Sequence, residues 1–311
     1  MAEKAVHNPL YSDIAYDDAF RTMETECDDI VIPFINYFFE EEYGKDAVIR
    51  RLRNEQYIEH KDHSYEKRIT DSHLEITQDE ISKRYHLECE SSKYDGSILV
   101  RLFGYDAQIA KLDAEGDSTS LKVKIPYTGL LLLRESPKAP ERVKIIIETP
   151  VGSTFYHVNI IRESDYSINY IFEKGLYLLI PFYIFNYEKE FSGINDDERR
   201  IQNMVDMYRE IVDRLYTEVE KKQLSERSRN VIIKLTHKVI YKLLMKHERI
   251  QEKVGDFMGG KVLDLPEIVG YRERKAEGRA EGRAEGEEER RKLQSENELL
   301  RSLLEKNGIK V

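Results

Sequence analysis

The first helical pattern of the chain lies in residues 17–39. Apolar residues recur there at intervals of three and four, the spacing of one buried helix face. They are Phe20, Met23, Ile30, Phe34, Ile35 and Phe38. Pro33 lacks a backbone N–H and marks a place where a helix can break. The pattern therefore predicts one amphipathic helix, or two short helices separated at Pro33.

Strand patterns surround a second helix in residues 67–161. Two alternating segments, 67–76 and 84–90, flank the polar stretch TQDEIS and predict a hairpin. A helical face follows over residues 95–112, with Asp95 or Ser97 as its N-cap. Three more strands are predicted, at residues 130–134, 143–148 and 155–161. This order predicts a mixed α/β fold, with a central mixed sheet and a crossover helix.

The second half of the chain has a helical pattern. Long periodic segments at residues 198–222 and 226–254 predict an all-helical lobe. We therefore divide the chain into a core over residues 1–190, a helical lobe over residues 191–270 and a tail over residues 271–311.

The tail starts with the repeat AEGR, whose opposite charges balance and which has no apolar face. Such a segment is expected to be a solvated helix or tether. Beyond it, Leu293, Asn297, Leu300 and Leu304 alternate by four and three, as in the seam of a parallel coiled coil. The spacing predicts weak self-association. A frayed polar tail is the alternative, since so short a coiled coil is marginal alone.

Composition indicates a soluble globular protein. Of 311 residues, 40% are hydrophobic and 35% charged, which is too apolar for a wholly disordered chain. The sequence has no signal-peptide pattern and no apolar stretch of membrane-spanning length, so we expect a cytoplasmic protein without a membrane partner. Cys27 and Cys89 are the two cysteines and form no CxxC pair, which argues against a disulfide framework or a zinc site.

The net charge of −10 should repel nucleic acid, so DNA contact would need a local basic surface. Residues 221–253 provide one, with ten lysines and arginines against three acids. Four of these lysines step by four along the predicted helix: Lys234, Lys238, Lys242 and Lys246. We interpret this lysine stripe as a candidate contact for DNA phosphates. A merely solvated helix face is the alternative.

A group of acidic residues is expected on one face of the predicted hairpin. Side chains alternate along a strand, so His86, Glu88 and Glu90 share a face. If Asp71 lies opposite Glu88, the hairpin turns between Asp79 and Glu80, inside the polar stretch. Three adjacent carboxylates repel one another unless they are protonated or bind a cation, and oxygen ligands suit Mg²⁺ or Mn²⁺. The alternative is an ordinary solvent-facing strand surface.

Several segments together resemble the recombination-promoting nuclease and transposase-like family of the PD-(D/E)XK superfamily. They are KRITDS at 67–72, YHLECESS at 85–92 and LVRLFGYDAQIA at 99–110. YDDAFR at 16–21 is similar to the Asp-x-x-Phe-Lys/Arg opening helix of that family, and the AEGR tail to its repetitive C-termini. The helical half and MGGK at 258–261 are similar to a bacterial subgroup. The resemblance spans most of the chain and is strongest from residue 16 to residue 110.

The resemblance implies a restriction-endonuclease-like core that hydrolyses DNA with a divalent metal. It makes Asp71 and Glu88 the metal ligands and Asp17 a supporting acid. It also places Arg101 and Tyr105 beside the site, on the helix after the strand, where they would contact DNA. The cofactor would be Mg²⁺ or Mn²⁺, and the reaction the hydrolysis of a phosphodiester bond.

The sequence departs from this family at Glu90, where the superfamily has Lys and this group often Gln. A Glu cannot supply the cation of a Lys, but it can accept a proton from water or hold a second metal. We therefore predict a metal-dependent DNA endonuclease. The first alternative is a catalytically inactive relative that still binds DNA or a protein partner. The second is a helical scaffold that carries the C-terminal assembly segment.

Overall fold

The computed structural model describes residues 14–52, 55–59, 65–112 and 114–259. These residues belong to one compact unit that ends at Gly259. The predicted AEGR tether and the seam formed by Leu293, Asn297, Leu300 and Leu304 lie outside the described residues, as does the proposed boundary at residue 270. The division into a core and a helical lobe stays a prediction.

A six-stranded mixed sheet forms the centre of the fold. Ten strands are described, six of which form this sheet. In chain order they are β1 (Val48–Arg51), β2 (Glu55–Glu59), β3 (Tyr65–Ile69), β4 (Ser72–Gln78), β5 (Ile81–Glu90), β6 (Glu115–Gly116), β7 (Leu121–Lys122), β8 (Tyr127–Leu132), β9 (Arg142–Thr149) and β10 (Gly152–Arg162). The order across the sheet is β1-β4-β5-β8-β10-β9, and β8 runs parallel to both of its neighbours. β2–β3 and β6–β7 form two separate antiparallel ribbons.

Helices flank this sheet and form most of the described chain from Ile168 to Gly259. They are α1 (Ile14–Glu26), α2 (Asp28–Phe39), α3 (Ile98–Leu112), α4 (Ile168–Lys174), α5 (Phe191–Asn195), α6 (Glu198–Glu220), α7 (Glu226–Leu243) and α8 (Glu248–Gly259). Two 3₁₀ segments, Glu163–Asp165 and Tyr177–Glu190, connect them. The side chains of Ser167, Asp197 and Ser225 cap the N-termini of α4, α6 and α7. The predicted mixed α/β fold with a helical second part is confirmed.

The first helical pattern forms two helices, but the break is at Cys27 and not at Pro33. Cys27 has an extended φ of −134° between α1 and α2, whereas Pro33 lies inside α2. The predicted apolar face is buried, including Phe20 and Phe34. α2 ends where Glu40 adopts a left-handed conformation, and the Glu40 N–H donates to the carbonyl oxygen of Asn36.

The β4–β5 hairpin has the predicted register. Ser72 pairs with Leu87 and Gln78 with Ile81, which leaves Asp79 and Glu80 as a two-residue turn. Both turn residues have positive φ, 50° and 63°, as the tight turns that match the twist of a hairpin require. The preceding strand is interrupted, because β3 ends at Ile69 and β4 begins at Ser72. Asp71 lies in this gap, one residue before the paired segment.

Helix α3 is the predicted crossover between the parallel strands β5 and β8. It begins at Ile98, after Asp95 accepts hydrogen bonds from the backbone N–H and hydroxyl of Ser97. Ile98 and Leu102 pack with Leu130 and other sheet residues in the core. The connection carries the chain from the end of β5 back across the sheet, so α3 covers the face that carries His86 and Glu88.

The helical second part packs on the first. α7 lies against α1 and the 3₁₀ segment Tyr177–Glu190, and Asp29 of α2 accepts hydrogen bonds from Ser225 and Ser228. The segment predicted as one helix over residues 226–254 is two helices, since α7 ends at Leu243 and α8 begins at Glu248. In the described part of the chain, no helix has the length and apolar character needed to cross a membrane.

Candidate active site

A cleft of about 220 Å³ opens where α1, the residue before β4, the end of β5 and α3 meet. It is lined by Asp17, Arg21, Asp71, Glu88, Cys89, Glu90, Ser91, Arg101 and Tyr105. All four predicted acidic residues therefore lie on one cleft, together with Arg101 and Tyr105. Arg21 also lies there, although the sequence reasoning gave it no role.

Asp71 is almost completely buried and has fixed partners on both carboxylate oxygens. Its Oδ2 accepts the Cys89 backbone N–H at 2.9 Å. Its Oδ1 accepts from Arg21, at 2.8 Å from Nη2 and 3.1 Å from Nε. Burial, and next the neighbouring Glu88, raise the pKa of Asp71 to about 6 in spite of the Arg21 cation.

Glu88 is joined to Asp71 by a direct hydrogen bond. Its Oε1 accepts the backbone N–H of Asp71 at 3.0 Å and lies 3.1 Å from Nε2 of His86. Its Oε2 lies 3.8 Å from Nη2 of Arg101. The predicted placement of Asp71 opposite Glu88 is what brings these two carboxyl groups to the same wall of the cleft.

His86 supports Glu88 from the interior. It is fully buried, with Nδ1 2.7 Å from Oδ1 of Asp106 on α3. Asp106 also accepts from the hydroxyls of Thr128 at 2.8 Å and Tyr156 at 2.7 Å. Burial lowers the pKa of His86, but its hydrogen bonds to Asp106 and Glu88 outweigh burial and raise that pKa to about 9. A protonated His86 therefore bridges two buried carboxylates.

Glu90 faces Arg101 at the mouth of the cleft. Nη2 of Arg101 donates to Oε2 of Glu90 at 2.9 Å, and Oε1 of Glu90 accepts the Ser92 backbone N–H at 2.8 Å. Tyr105, one turn further along α3, lies edge-on to the His86 ring at 5.8 Å between centroids. Arg101 of α3 thus places a positive charge beside Glu88, whereas residue 90 of β5 is itself an acid.

The charges of the cleft are unbalanced toward the negative. Four carboxylates (Asp17, Asp71, Glu88, Glu90) and two arginines (Arg21, Arg101) line it, which leaves a formal charge of −2 when all are ionised. The oxygen donors and this charge fit a hard divalent cation. Both arginines already contact these carboxylates, however, and a cation on Oδ1 of Asp71 would have to replace Arg21. Among the described residues, no three His, Cys, Asp or Glu are arranged to hold a metal ion.

The lysine stripe lies elsewhere and is not continuous. Lys234, Lys238 and Lys242 belong to α7, but Lys246 follows the end of that helix. Lys238 forms an ion pair with Asp18 of α1, so part of the stripe is already neutralised. The opposite side of α7 is buried as expected. None of the four lysines lines the cleft.

Comparisons with known proteins find no family model, no curated protein and no solved structure that matches this chain. The resemblance to the recombination-promoting nucleases therefore stays a prediction. What the chain offers as support for a function is the chemistry of the cleft itself.

Among the functional residues that the sequence did not predict, Arg21 has a signal in the sequence, whereas Asp106 and Tyr156 have none. Arg21 belongs to the YDDAFR segment, four residues after Asp17, so both lie on one side of α1. Asp106 and Tyr156 had no such signal. They reach His86 only because α3 and β10 are brought next to β5 by the tertiary fold.

Proposed function

We propose that the cleft is the active site of a divalent-metal-dependent DNA endonuclease. The observation that carries this proposal is the pair of buried acids Asp71 and Glu88, in which the Glu88 carboxylate accepts the Asp71 backbone N–H at 3.0 Å. Two buried acids side by side are costly to a fold unless cations or hydrogen-bond donors offset them; Arg21 and His86 do so in part, and the lining of the cleft still has more carboxylates than arginines. The residual charge of −2 in the cleft makes a divalent cation the best candidate.

Four residues of the cleft have distinct tasks in this proposal: Asp71, Glu88, Glu90 and Arg101. Asp71 and Glu88 hold the cation, Mg²⁺ or Mn²⁺, and His86 with Asp106 fixes the orientation of Glu88. A bound cation would supply Lewis-acid chemistry, so that a water oxygen could bond to phosphorus while the P–O bond to the leaving oxygen breaks. The Glu90 carboxylate would accept the proton of the attacking water, and Arg101 would contact a non-bridging phosphate oxygen.

A catalytically inactive relative that binds DNA or a protein partner is the second candidate. The specific observation in its favour is that two of the acids already form ion pairs with arginines, Asp71 with Arg21 and Glu90 with Arg101. The position of Glu90, where the resembling family has Lys or Gln, is consistent with it. The two candidates share the fold and differ in whether the cleft cleaves DNA.

Nicking of supercoiled plasmid by the full-length protein separates these candidates. We expect nicking with Mg²⁺, none with EDTA, and at least a 100-fold loss in Asp71→Asn and Glu88→Gln, since ligand loss removes the metal chemistry. Glu75→Gln is a matched control, because Glu75 bonds to Arg50 and Arg84 and does not line the cleft. Equal nicking by Asp71→Asn and wild type would show that the site assignment is wrong.

A further inference from the structure

The β9–β10 hairpin extends beyond the rest of the sheet. β10 pairs with β8 from Val158 to Arg162, whereas its first half, from Gly152 to His157, pairs with β9 alone. In the described part of the chain, β9 has a neighbouring strand on one side only. Its eight residues therefore present a row of backbone donors and acceptors at a sheet edge.

This projecting hairpin exposes large apolar side chains. Val151 at the turn is 97% exposed, and the cross-strand pair Ile146 and Phe155 is 58% and 54% exposed. On the opposite face, Val143 and Ile145 pack against the core under α3. One face of the hairpin is thus anchored, and the other presents apolar surface beside the sheet edge. Exposed apolar surface of this kind marks an interaction site.

The two edges of the sheet differ in how well they are protected. β1, at the other edge, has four residues and two arginines, Arg50 and Arg51, that are held by Glu75, Asp28 and the Glu24 carbonyl. Short edge strands with charged residues resist further strand pairing. β9 is twice as long, reads RVKIIIET and contains three consecutive isoleucines. β9 is therefore the edge at which an added strand is expected.

We infer that β9 pairs antiparallel with β9 of a second copy of this chain, about a two-fold axis at Ile146. The sequence of β9 complements itself in this register. Lys144 lies opposite Glu148 twice, Ile145 lies opposite Ile147 twice, and Ile146 lies opposite its own copy. Opposite charges and β-branched residues directly across from each other stabilise antiparallel pairs. A two-fold axis uses the same surface on both copies and closes after two.

The sheets of two protomers then form one twelve-stranded sheet. Lys144 is already on the face of Ile146, with its Nζ 4.2 Å from the centre of the Phe155 ring. Phe155 and Ile146 of each copy extend the apolar surface across the axis. The residues of this pairing differ from the leucines of the predicted C-terminal coiled coil, so mutations can separate the two modes of self-association.

Charge exchange tests the inference in the full-length protein, with light scattering and sedimentation as the measurements. We expect a dimer for wild type and at least a tenfold weaker association for Glu148→Lys and for Lys144→Glu, which place like charges opposite each other. The double variant Lys144→Glu/Glu148→Lys restores opposite charges and is expected to restore the dimer. Unchanged association in the single variants, or a double variant as weak as they are, would overturn the inference.

A cysteine at the axis provides a second test. The native Cys27 and Cys89 are both buried, so a new thiol reports on the interface. We expect Ile146→Cys to form a disulfide-linked dimer under mild oxidation, because residue 146 meets its own copy. Val151→Cys is the control, since it is more exposed but lies away from the axis. No cross-link at residue 146, or equal cross-linking at residue 151, would contradict the proposed register.

Discussion

Glu88 accepts a hydrogen bond from the backbone N–H of Asp71 across the end of the β4–β5 hairpin, at 3.0 Å. The bond exists because the turn at Asp79 and Glu80 sets a register that carries Asp71 opposite Glu88. A shift of one residue would move Glu88 to the opposite face of the sheet. The turn therefore determines whether the two acids meet.

The first prediction concerns His86, which lies between the buried side chains of Asp106 and Glu88. Replacing His86 by Leu leaves Asp106 and Glu88 buried without the group that bridges them. Breaking a buried ion pair in this way costs about 3–5 kcal/mol of unfolding free energy. Urea denaturation at pH 7 measures this loss. Asp106→Asn is expected to cost less, because it keeps a hydrogen-bonding side chain of the same shape. A loss below about 1 kcal/mol in His86→Leu would mean that the network does not support the fold.

The second prediction concerns Glu163, which is fully buried at the end of β10. Asn186 donates to its Oε1 at 3.2 Å, while its Oε2 has no hydrogen-bond partner in the described structure. Burial raises the pKa of Glu163 well above its usual value. The folded state therefore keeps a proton that the unfolded chain loses near its ordinary pKa. Stability contributed by this proton is present below that ordinary pKa and is lost as pH rises toward the folded-state value.

Glu163→Gln tests this pH dependence because it keeps the shape and removes the titration. Over the window between the two pKa values, the wild type should lose up to about 1.4 kcal/mol per pH unit relative to the variant. Thermal or urea unfolding between pH 5 and 9 measures the difference. Parallel stability curves for the two proteins would show that Glu163 is ionised in the folded state.

The third prediction concerns Glu90. In the proposed mechanism, Glu90 accepts a proton and holds Arg101 toward the cleft. Glu90→Gln keeps the size and removes the negative charge, so Mg²⁺-dependent nicking should fall about 100-fold, in line with the loss of a general base. Single-turnover nicking rates give this ratio. Faster nicking by Glu90→Gln or Glu90→Lys than by wild type would identify Glu90 as a disabling residue.

The fourth prediction concerns the lysine stripe as a DNA-binding surface. Lys238 is paired with Asp18, so Lys242 and Lys246 are the better candidates for binding phosphates. Replacing both by Gln should weaken DNA binding and flatten its salt dependence by about 0.9 log unit for each phosphate that the protein no longer neutralises. Fluorescence anisotropy across a salt series measures both. A salt slope identical to that of wild type in the folded double variant would exclude this surface.

The sequence predicts those parts of the fold that depend on local pattern. The alternation in Tyr85–Glu90 and the polar turn residues allow Asp71 to lie opposite Glu88, and the register of the β4–β5 hairpin carries it there. The proline does not predict the break at Cys27, because α2 continues through Pro33 with Val31 and Phe34 buried on either side of it. No strong helix breaker marks the interruption between α7 and α8, and the apolar periodicity continues across it.

The candidate site is predictable only in part, for a physical reason. Acids on one strand face can be read from alternation, but their partners come from other elements. Arg21 lies 50 residues from Asp71 along the chain, Asp106 lies 20 from His86, and Tyr156 lies 50 from Asp106. Such contacts depend on how α1, α3 and β10 pack, and single-sequence periodicity carries no information about them.

Direct titration with Mn²⁺ tests whether Asp71 and Glu88 together hold one divalent cation. Isothermal calorimetry or electron paramagnetic resonance on the full-length protein gives the stoichiometry and affinity without reference to cleavage. We expect one Mn²⁺ per chain, an affinity at least tenfold weaker in Asp71→Asn and in Glu88→Gln, and no change in Glu75→Gln. Absence of a bound ion in wild type, or binding by the Asp71 and Glu88 variants as tight as that of wild type, would show that these two acids do not hold a divalent cation.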